Sequence, residues 1–262
     1  MIILMKKMER LYRLPKRIFG RLSKCIHATG DLTIITGANA PFYESMRDNL
    51  LSSVFRYEPQ AQVIIWDLGL NNMQNVEIQR IIESTEGGKL LKYPEETLPE
   101  FYAMARYNYA FKSYCIFHSL PLVKTKYAMW LDAGCGLRGH LDAERNMLQF
   151  YGYYSPYSST SIGKLTYETV MNSFLDWKME YANKQMLSGG VQGWDMGNKE
   201  AIALLCDWYN LSRVEENIEP SGASLQNHRY DQSLLSIVYY SRHKEVPYLE
   251  RHTYNIGVHL NR

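Results

Sequence analysis

Cysteine is scarce in this chain of 262 residues and nowhere clustered. The four (Cys25, Cys115, Cys135 and Cys206) are far apart and form no CxxC pair. Such spacing reads as reduced thiols in a cytosol-like, cytoplasmic compartment and implies no zinc site. An excess of one charge is also lacking. Twenty-nine Lys and Arg stand against 27 Asp and Glu, a net charge of +2. The body of the chain is therefore not an electrostatic nucleic-acid binder. No stretch approaches the ~18 consecutive apolar residues of a membrane span, and low-complexity tracts and internal repeats are absent. What is there is globular: 46% hydrophobic and 13% aromatic. The length suits one α/β domain with a sizeable core and would be cramped for two.

The amino-terminal segment departs from the balanced charge. Lys6, Lys7, Arg10, Arg13, Lys16, Arg17, Arg21 and Lys24 face a single acid, Glu9, with Leu11, Leu14, Ile18 and Leu22 at helical spacing among them. Pro15 would kink or restart a helix there. Residues 1–30 read as a basic helical arm, either packed on its own domain or lying peripherally on an anionic membrane surface. The apolar Ile2–Met5 is short and precedes the charges, so it is not read as a signal peptide.

Residues 31–262 read as one domain of alternating elements. Leu32–Ala38 is a β-rich run closed by small residues, and Phe42–Phe55 has helical apolar spacing after Pro41. Val63–Trp66 is a second buried strand ending in Asp67. Val76–Ile82 is helical, with Gly87-Gly88 as its stop. Leu90–Tyr93 is a short strand, Tyr107–Leu120 a helix stopped by Pro121, and Tyr127–Leu131 a strand buried on both faces. The expected fold class is α/β, a doubly wound, mostly parallel central sheet flanked by helices. Beyond it, Leu141–Phe150, Ile162–Leu175, Ala201–Leu211 and Asp231–Ser241 look helical. Tyr151–Ser161 looks like strand with loop. Ser188–Gly197 is too glycine-rich for an ordinary strand and marks a place where backbone approaches a ligand.

The element Tyr127–Leu131 ends in Asp132-Ala133-Gly134-Cys135-Gly136. In an open α/β sheet, ligands bind outside the carboxyl ends of the strands, and an acid there with little bulk behind it binds a metal or a hydroxyl. One reading is the glycine-rich first motif of S-adenosylmethionine methyltransferases. Against it, Arg138 stands where a third glycine is expected, no acid ends a strand about twenty residues on, and three strands precede this one.

The ordered set of motifs resembles a glycosyltransferase of the GT-A fold, somewhat like the retaining enzymes related to glycogenin and the bacterial galactosyltransferases. The resemblance covers roughly Leu32–His259. It implies a nucleotide-binding half (31–136), an acceptor half (137–262), a nucleotide-sugar donor, a glycan or other hydroxyl acceptor, and Mn2+ or Mg2+. The donor residues it implies are Thr36, Gly37 and Ala38 at the first strand end, Asp67 after the second and Lys112 of Ala110-Phe111-Lys112. Asp132 and the Gly189-Gly190 turn complete them. Tyr230-Asp231-Gln232 is similar to the family's Asp-Gln helix start. Asp231 and Gln232 would serve a retaining mechanism, and Asp195 would be the base of an inverting one. The family's Asp-x-Asp reads Asp132-Ala133-Gly134 here, so the metal would take Asp132 and a second ligand such as His259. Alternatively, Lys112, Arg106 and Arg138 would neutralise phosphate without an ion.

Each of these residues also has an ordinary reading. Asp67 and Asp195 could close turns, Asp231 could cap a helix, and His259 could simply be exposed. Tyr151, Tyr153, Tyr154 and Tyr157 could pack rather than stack on an acceptor sugar. A catalytically inactive GT-A-like domain that binds nucleotide or glycan is the alternative the incomplete acidic motif supports.

Overall fold

The computed structural model describes residues 30–174, 176–242 and 254–258. The basic arm up to residue 29 and His259 lie outside the described residues. Four strands, β1 (Leu32–Ala38), β2 (Gln62–Asp67), β3 (Lys89–Lys92) and β4 (Tyr127–Leu131), run parallel in the spatial order 3-2-1-4. Then follow β5 (Gly136–Leu137), β6 (Tyr153–Tyr154), β7 (Tyr157–Ser161), β8 (Gln185–Leu187), β9 (Val191–Asp195) and β10 (Ile256–Gly257). Strand β9 joins β4 antiparallel and β6 joins β9, making a mixed six-stranded sheet. Antiparallel pairs β5–β10 and β7–β8 stand beside it.

The helices that cover the sheet are α1 (residues 43–57, π-helical over Met46–Leu51), α2 (Asn72–Glu83), α3 (Phe111–Ser119), α4 (Asp142–Tyr151), α5 (Lys199–Leu211) and α6 (Asp231–Arg242). Side chains alternate across a strand, and the core divides accordingly. Ile34, Val63, Ile65, Met129 and Leu131 face α1, α2 and α4 through Leu50, Val54, Ile78 and Leu148. Ile35, Ile64, Trp66, Ala128 and Trp130 face α3, α5 and α6 through Ile116, Leu204, Trp208 and Leu235. Burying each large apolar side chain contributes roughly 1.5–3 kcal/mol, so both sides of the sheet are held. Tyr153 and Tyr154 are fully buried and belong to this packing, not to an acceptor platform.

Three local expectations change. The helix read as Tyr107–Leu120 spans Phe111–Ser119, because Tyr107 and Tyr109 adopt left-handed backbone at φ 55° and 59°. The single helix expected over Ile162–Leu175 is broken into a 3-10 turn at Ile162–Lys164 and a short helix at Glu168–Asn172, with irregular chain between them. The glycine-rich segment contains strand β9, next to the sheet's central strand. A Cβ at Gly193 would lie 3.1 Å from both Met129 Cγ and Leu148 Cδ2, so the missing side chain is what lets α4 settle on the sheet. Among the described residues no helix is long and apolar enough to cross a membrane.

A buried ion-pair network ties the start of the sheet to two helices. Glu58, 1% exposed, accepts from Arg145 Nη1 and Nη2 at 2.9 and 2.7 Å and from the Leu141 amide at 2.7 Å. Arg145 Nε also meets Asp31 Oδ1 at 3.0 Å. Removing the cation would leave Glu58 charged, buried and unpaired. Arg145→Met is expected to lower unfolding stability by about 3–5 kcal/mol, read from urea denaturation of both proteins.

Candidate active site

The carboxyl ends of β1, β2 and β4 lie on one edge of the sheet, and Asp132 leaves β4 directly there. Its amide donates to Gly190 O at 2.9 Å and its carbonyl accepts from the Cys135 amide at 2.8 Å, so the residue is pinned between β9's approach loop and its own turn. Both carboxylate oxygens are engaged. Oδ1 accepts from Trp130 Nε1 at 2.7 Å, and Oδ2 from Lys112 Nζ at 3.0 Å. Lys112 stands on the first turn of α3, with its side chain only 8% exposed, and also donates to Gly189 O at 3.4 Å.

The loop Ser188-Gly189-Gly190 forms one wall of this arrangement. A Cβ at Gly190 would fall 2.7 Å from Asp132 Oδ2, and one at Gly189 would lie 3.2 Å from Asp231 Oδ2. Any side chain would therefore occupy the space between the two carboxylates and the backbone. Asp231 begins α6 and is 3% exposed, and its Oδ2 is buried without a hydrogen-bond partner. The residue is held by its backbone: Trp208 Nε1 donates to Asp231 O at 3.2 Å. Neighbouring Gln232 donates its side-chain amide to Leu187 O at 2.6 Å, fixing α6 against β8.

Charge in this cluster is unevenly satisfied. Burial pushes the Asp231 carboxyl up to about 7, the nearby Lys112 ammonium pulls it down, and the Asp132 carboxylate adds to the rise. For Lys112, burial favours the neutral amine, but the Asp132 and Asp231 carboxylates together raise it above the ordinary lysine value. The lysine stays charged, Asp132 shares its charge directly, and Asp231 keeps a bare oxygen facing Gly189.

Of the residues expected from sequence, Lys112, Asp132, Gly189, Gly190, Asp231 and Gln232 are brought together. Thr36, Gly37 and Ala38 end β1 on the same edge. Thr36 Oγ1 is buried without a partner, and a Cβ at Gly37 would press on Leu68 at 3.0 Å. Asp67 ends β2 there too, but its carboxylate accepts from the Gly69 and Leu70 amides at 2.9 and 2.7 Å and from Asn75 Nδ2 at 2.8 Å. It shapes the turn into α2. Asp195 is not brought to the site. It pairs with Tyr127 at the opposite end of β4, roughly 16 Å along the strand from Asp132 at ~3.3 Å per residue. Its carboxylate accepts from the Gly197 amide at 2.9 Å, a turn role. Arg106 is tied to Glu219 and Glu215, each at 3.1 Å.

The metal expected on Asp132 and His259 finds no complete donor set. Among the described residues no three His, Cys, Asp or Glu side chains gather around a common point. The Asp132 oxygens hold an indole N–H and an ammonium, one bond each. Of the two expected ligands Asp132 is described and His259 lies outside the described residues.

Other participants carry no motif in the sequence. Trp130 orients Asp132 from within the strand. Among the described residues the non-glycine residues with positive φ are Tyr107, Tyr109 and Tyr230, at a cost on the order of 1–2 kcal/mol each. Tyr230 immediately precedes Asp231, and the Tyr109 ring centroid lies 5.0 Å from Lys112 Nζ. Backbone strain of this kind gathers at functional sites. The sole sequence signal for it was tyrosine beside asparagine in Tyr107-Asn108-Tyr109, which does not predict left-handed backbone.

No family model matches the chain, and no curated protein matches it. Solved structures do. The mannosyltransferase Ktr4p from S. cerevisiae, in complex with GDP, superposes with a TM-score of 0.54 at 11% identity over 82% of this chain and 68% of that one. The bifunctional glycosyltransferase WbbM gives 0.54 at 10% identity over 84% of this chain, which spans only 38% of WbbM. The galactosyltransferase LgtC, with donor and acceptor sugar analogues, gives 0.50 at 12% identity over 79% and 70%. At such identities the likeness concerns the backbone architecture. The mixed sheet, its flanking helices and these superpositions agree with the resemblance read from the motifs, and the chain has the GT-A glycosyltransferase fold.

Proposed function

We propose that the chain is a glycosyltransferase that moves a sugar from a nucleoside diphosphate donor to a hydroxyl acceptor. The observation that carries this reading is the cluster Lys112–Asp132–Asp231 against Gly189-Gly190 at the carboxyl edge of the parallel strands. Transfer from such a donor asks the protein mainly to position the sugar and to stabilise charge on the departing diphosphate. Side-chain-free backbone at Gly189-Gly190 lets the loop lie close against both carboxylates, so a donor sugar would meet backbone there rather than a side chain. Lys112 supplies a desolvated positive charge next to Asp132, where a leaving diphosphate would gain charge. Asp231, with a bare oxygen, faces the same space and stabilises positive charge at the anomeric carbon. Retention of configuration is the expected outcome, since that role assigns Asp231 no proton to take from the acceptor. An inverted product, read by NMR, would instead make Asp231 the general base, since its raised value near 7 suits proton abstraction.

The divalent ion common in this fold belongs to the same reading as an open element, with Lys112 as the cation the described residues do supply. Lys112→Met is expected to abolish transfer and to weaken binding of GDP or UDP at least tenfold by calorimetry, while the wild type keeps its affinity in EDTA. Strict dependence of that affinity on manganese would give the charge-neutralising role to an ion and bring His259 back as its ligand. Asp132→Asn is expected to abolish transfer in a folded protein. Near wild-type turnover would make Asp132 only a strand-end residue.

Asp231 yields a pH prediction with a defined sign. Its folded value is raised to about 7 above an ordinary carboxyl near ~3.9, so ionisation in the site happens across neutral pH. Turnover should rise about tenfold from pH 6 to pH 8 as the carboxylate forms. The folded state binds the proton more tightly than the unfolded chain does, so Asp231 lowers stability as pH climbs from about 4 to 7 and no further above it. Asp231→Asn should cut turnover at least tenfold, remove the pH dependence and raise the melting temperature at pH 8. A variant active at the wild-type level would leave Asp231 as a helix cap only.

Peripheral membrane contact through the basic arm is also part of the proposal and rests on its sequence. Deleting residues 1–28 is expected to abolish sedimentation with anionic vesicles and to leave transfer intact. Equal vesicle binding by both chains would remove this role.

A further inference from the structure

A concavity lies between β7, the turn Ile162–Lys164 and the loop that leads into α6. Its volume is about 860 Å3, and its walls carry Lys164, Arg229, Thr160, Gln226 and Leu225. Two cations line it and no acid does. Like charges on low-dielectric walls repel one another and concentrate a positive field in the opening, which an anion relieves. Hydroxyls from Ser159, Thr160 and Ser161 add donors, and Thr160 Oγ1 is shielded from solvent with no hydrogen-bond partner. The leucine side chains leave an apolar patch against which the C–H face of a sugar ring can rest.

This cleft is mechanically joined to the transfer site. The Arg229 amide donates to Leu165 O at 3.1 Å and to Ser233 Oγ at 2.8 Å, and Ser233 Oγ donates to Leu165 O at 2.7 Å. Arg229 is thereby fixed two residues from Asp231, at the head of α6, whose other side faces Gly189. The cleft therefore shares the head of α6 with the transfer site, Arg229 on the cleft side standing two residues of chain from Asp231 on the Gly189 side.

We infer that the cleft holds the acceptor by an anionic substituent, a phosphate or a carboxylate on a saccharide, clasped by Arg229 and Lys164. The inference rests on the transferase reading and narrows its acceptor to an acidic sugar. A guanidinium forms paired hydrogen bonds with either group, so the two sources share one chemistry.

The test titrates the full chain with glucose 6-phosphate, glucuronate and, as neutral control, glucose, by calorimetry at low and moderate salt. The Lys164→Gln/Arg229→Gln double variant is titrated alongside, and GDP and UDP affinities are measured on both proteins. At least one acidic sugar should bind the wild type ten times or more tighter than glucose. It should lose that advantage in the double variant and with added salt, and the arm that binds tighter identifies the group. Nucleoside diphosphate affinity should stay within twofold, as neither residue belongs to the donor cluster. Equal binding of the three sugars, or an acidic sugar bound unchanged by the double variant, overturns the inference. Should neither nucleotide bind either protein while the acidic sugar binds as expected, the transferase reading fails and the anion cleft stands.

Discussion

One buried ammonium holds the functional edge of this protein together. Lys112 reaches from α3 to Asp132 at the end of β4 and to the carbonyl of Gly189 in the loop before β9, with Asp231 of α6 close enough to influence its charge. Three segments far apart in sequence converge on a single cation. Taking that cation out of water is costly, and two carboxylates offset the cost while only one of them bonds it directly. The unequal sharing leaves Asp231 with a raised value and an unpartnered oxygen. An unpartnered buried oxygen costs stability, and in the proposed reading this one meets the positive charge that develops on the donor sugar.

A raised carboxyl value alone does not identify that role. Glu144 is pushed to about 7 by burial as well and likewise keeps one buried oxygen, Oε2, without a partner, while its Oε1 accepts from the Asn255 amide at 3.0 Å and it sits on α4, beneath the chain's return to β5. The same desolvation acts on both groups, so location separates them. Asp231 lies beside side-chain-free backbone at the carboxyl edge of the sheet, and Glu144 lies under a strand pair. The strained backbone of Tyr109 and Tyr230 falls on the Asp231 side, where rigid placement of neighbouring groups has a use.

The glycines show how one residue type serves packing and function within a single segment. At Gly193 the absent Cβ lets α4 approach the sheet, which secures the frame. Three residues earlier, at Gly190, the absent Cβ leaves Asp132 room on the ligand side. The segment was read from its composition as a place of close backbone approach. Its second half is instead an ordinary sheet strand, because a glycine between Met129 and Leu148 satisfies packing that any larger residue would obstruct.

The sequence by itself determined the parallel half of the fold and singled out residues that the structure gathers at one edge of the sheet. Buried strands such as Leu32–Ala38 and Tyr127–Leu131 are continuous apolar runs, and a strand's composition reports its burial directly. Asp132, Gly189 and Gly190 could be picked out because each stands at an element end or turn, and Lys112, Asp231 and Gln232 through the ordered motifs that resemble GT-A glycosyltransferases. Tertiary structure alone decided what those residues do to one another. Asp195 follows the glycine turn as closely in sequence as a catalytic base would, but β9 runs antiparallel to β4 and carries it to the far edge. Strand direction is set by pairing between distant segments, which no local pattern encodes. The commitment of Asp132 to Trp130 and Lys112 and the bare oxygen of Asp231 likewise arise only when separate elements meet, because hydrogen-bond satisfaction and desolvation are properties of the assembled interior.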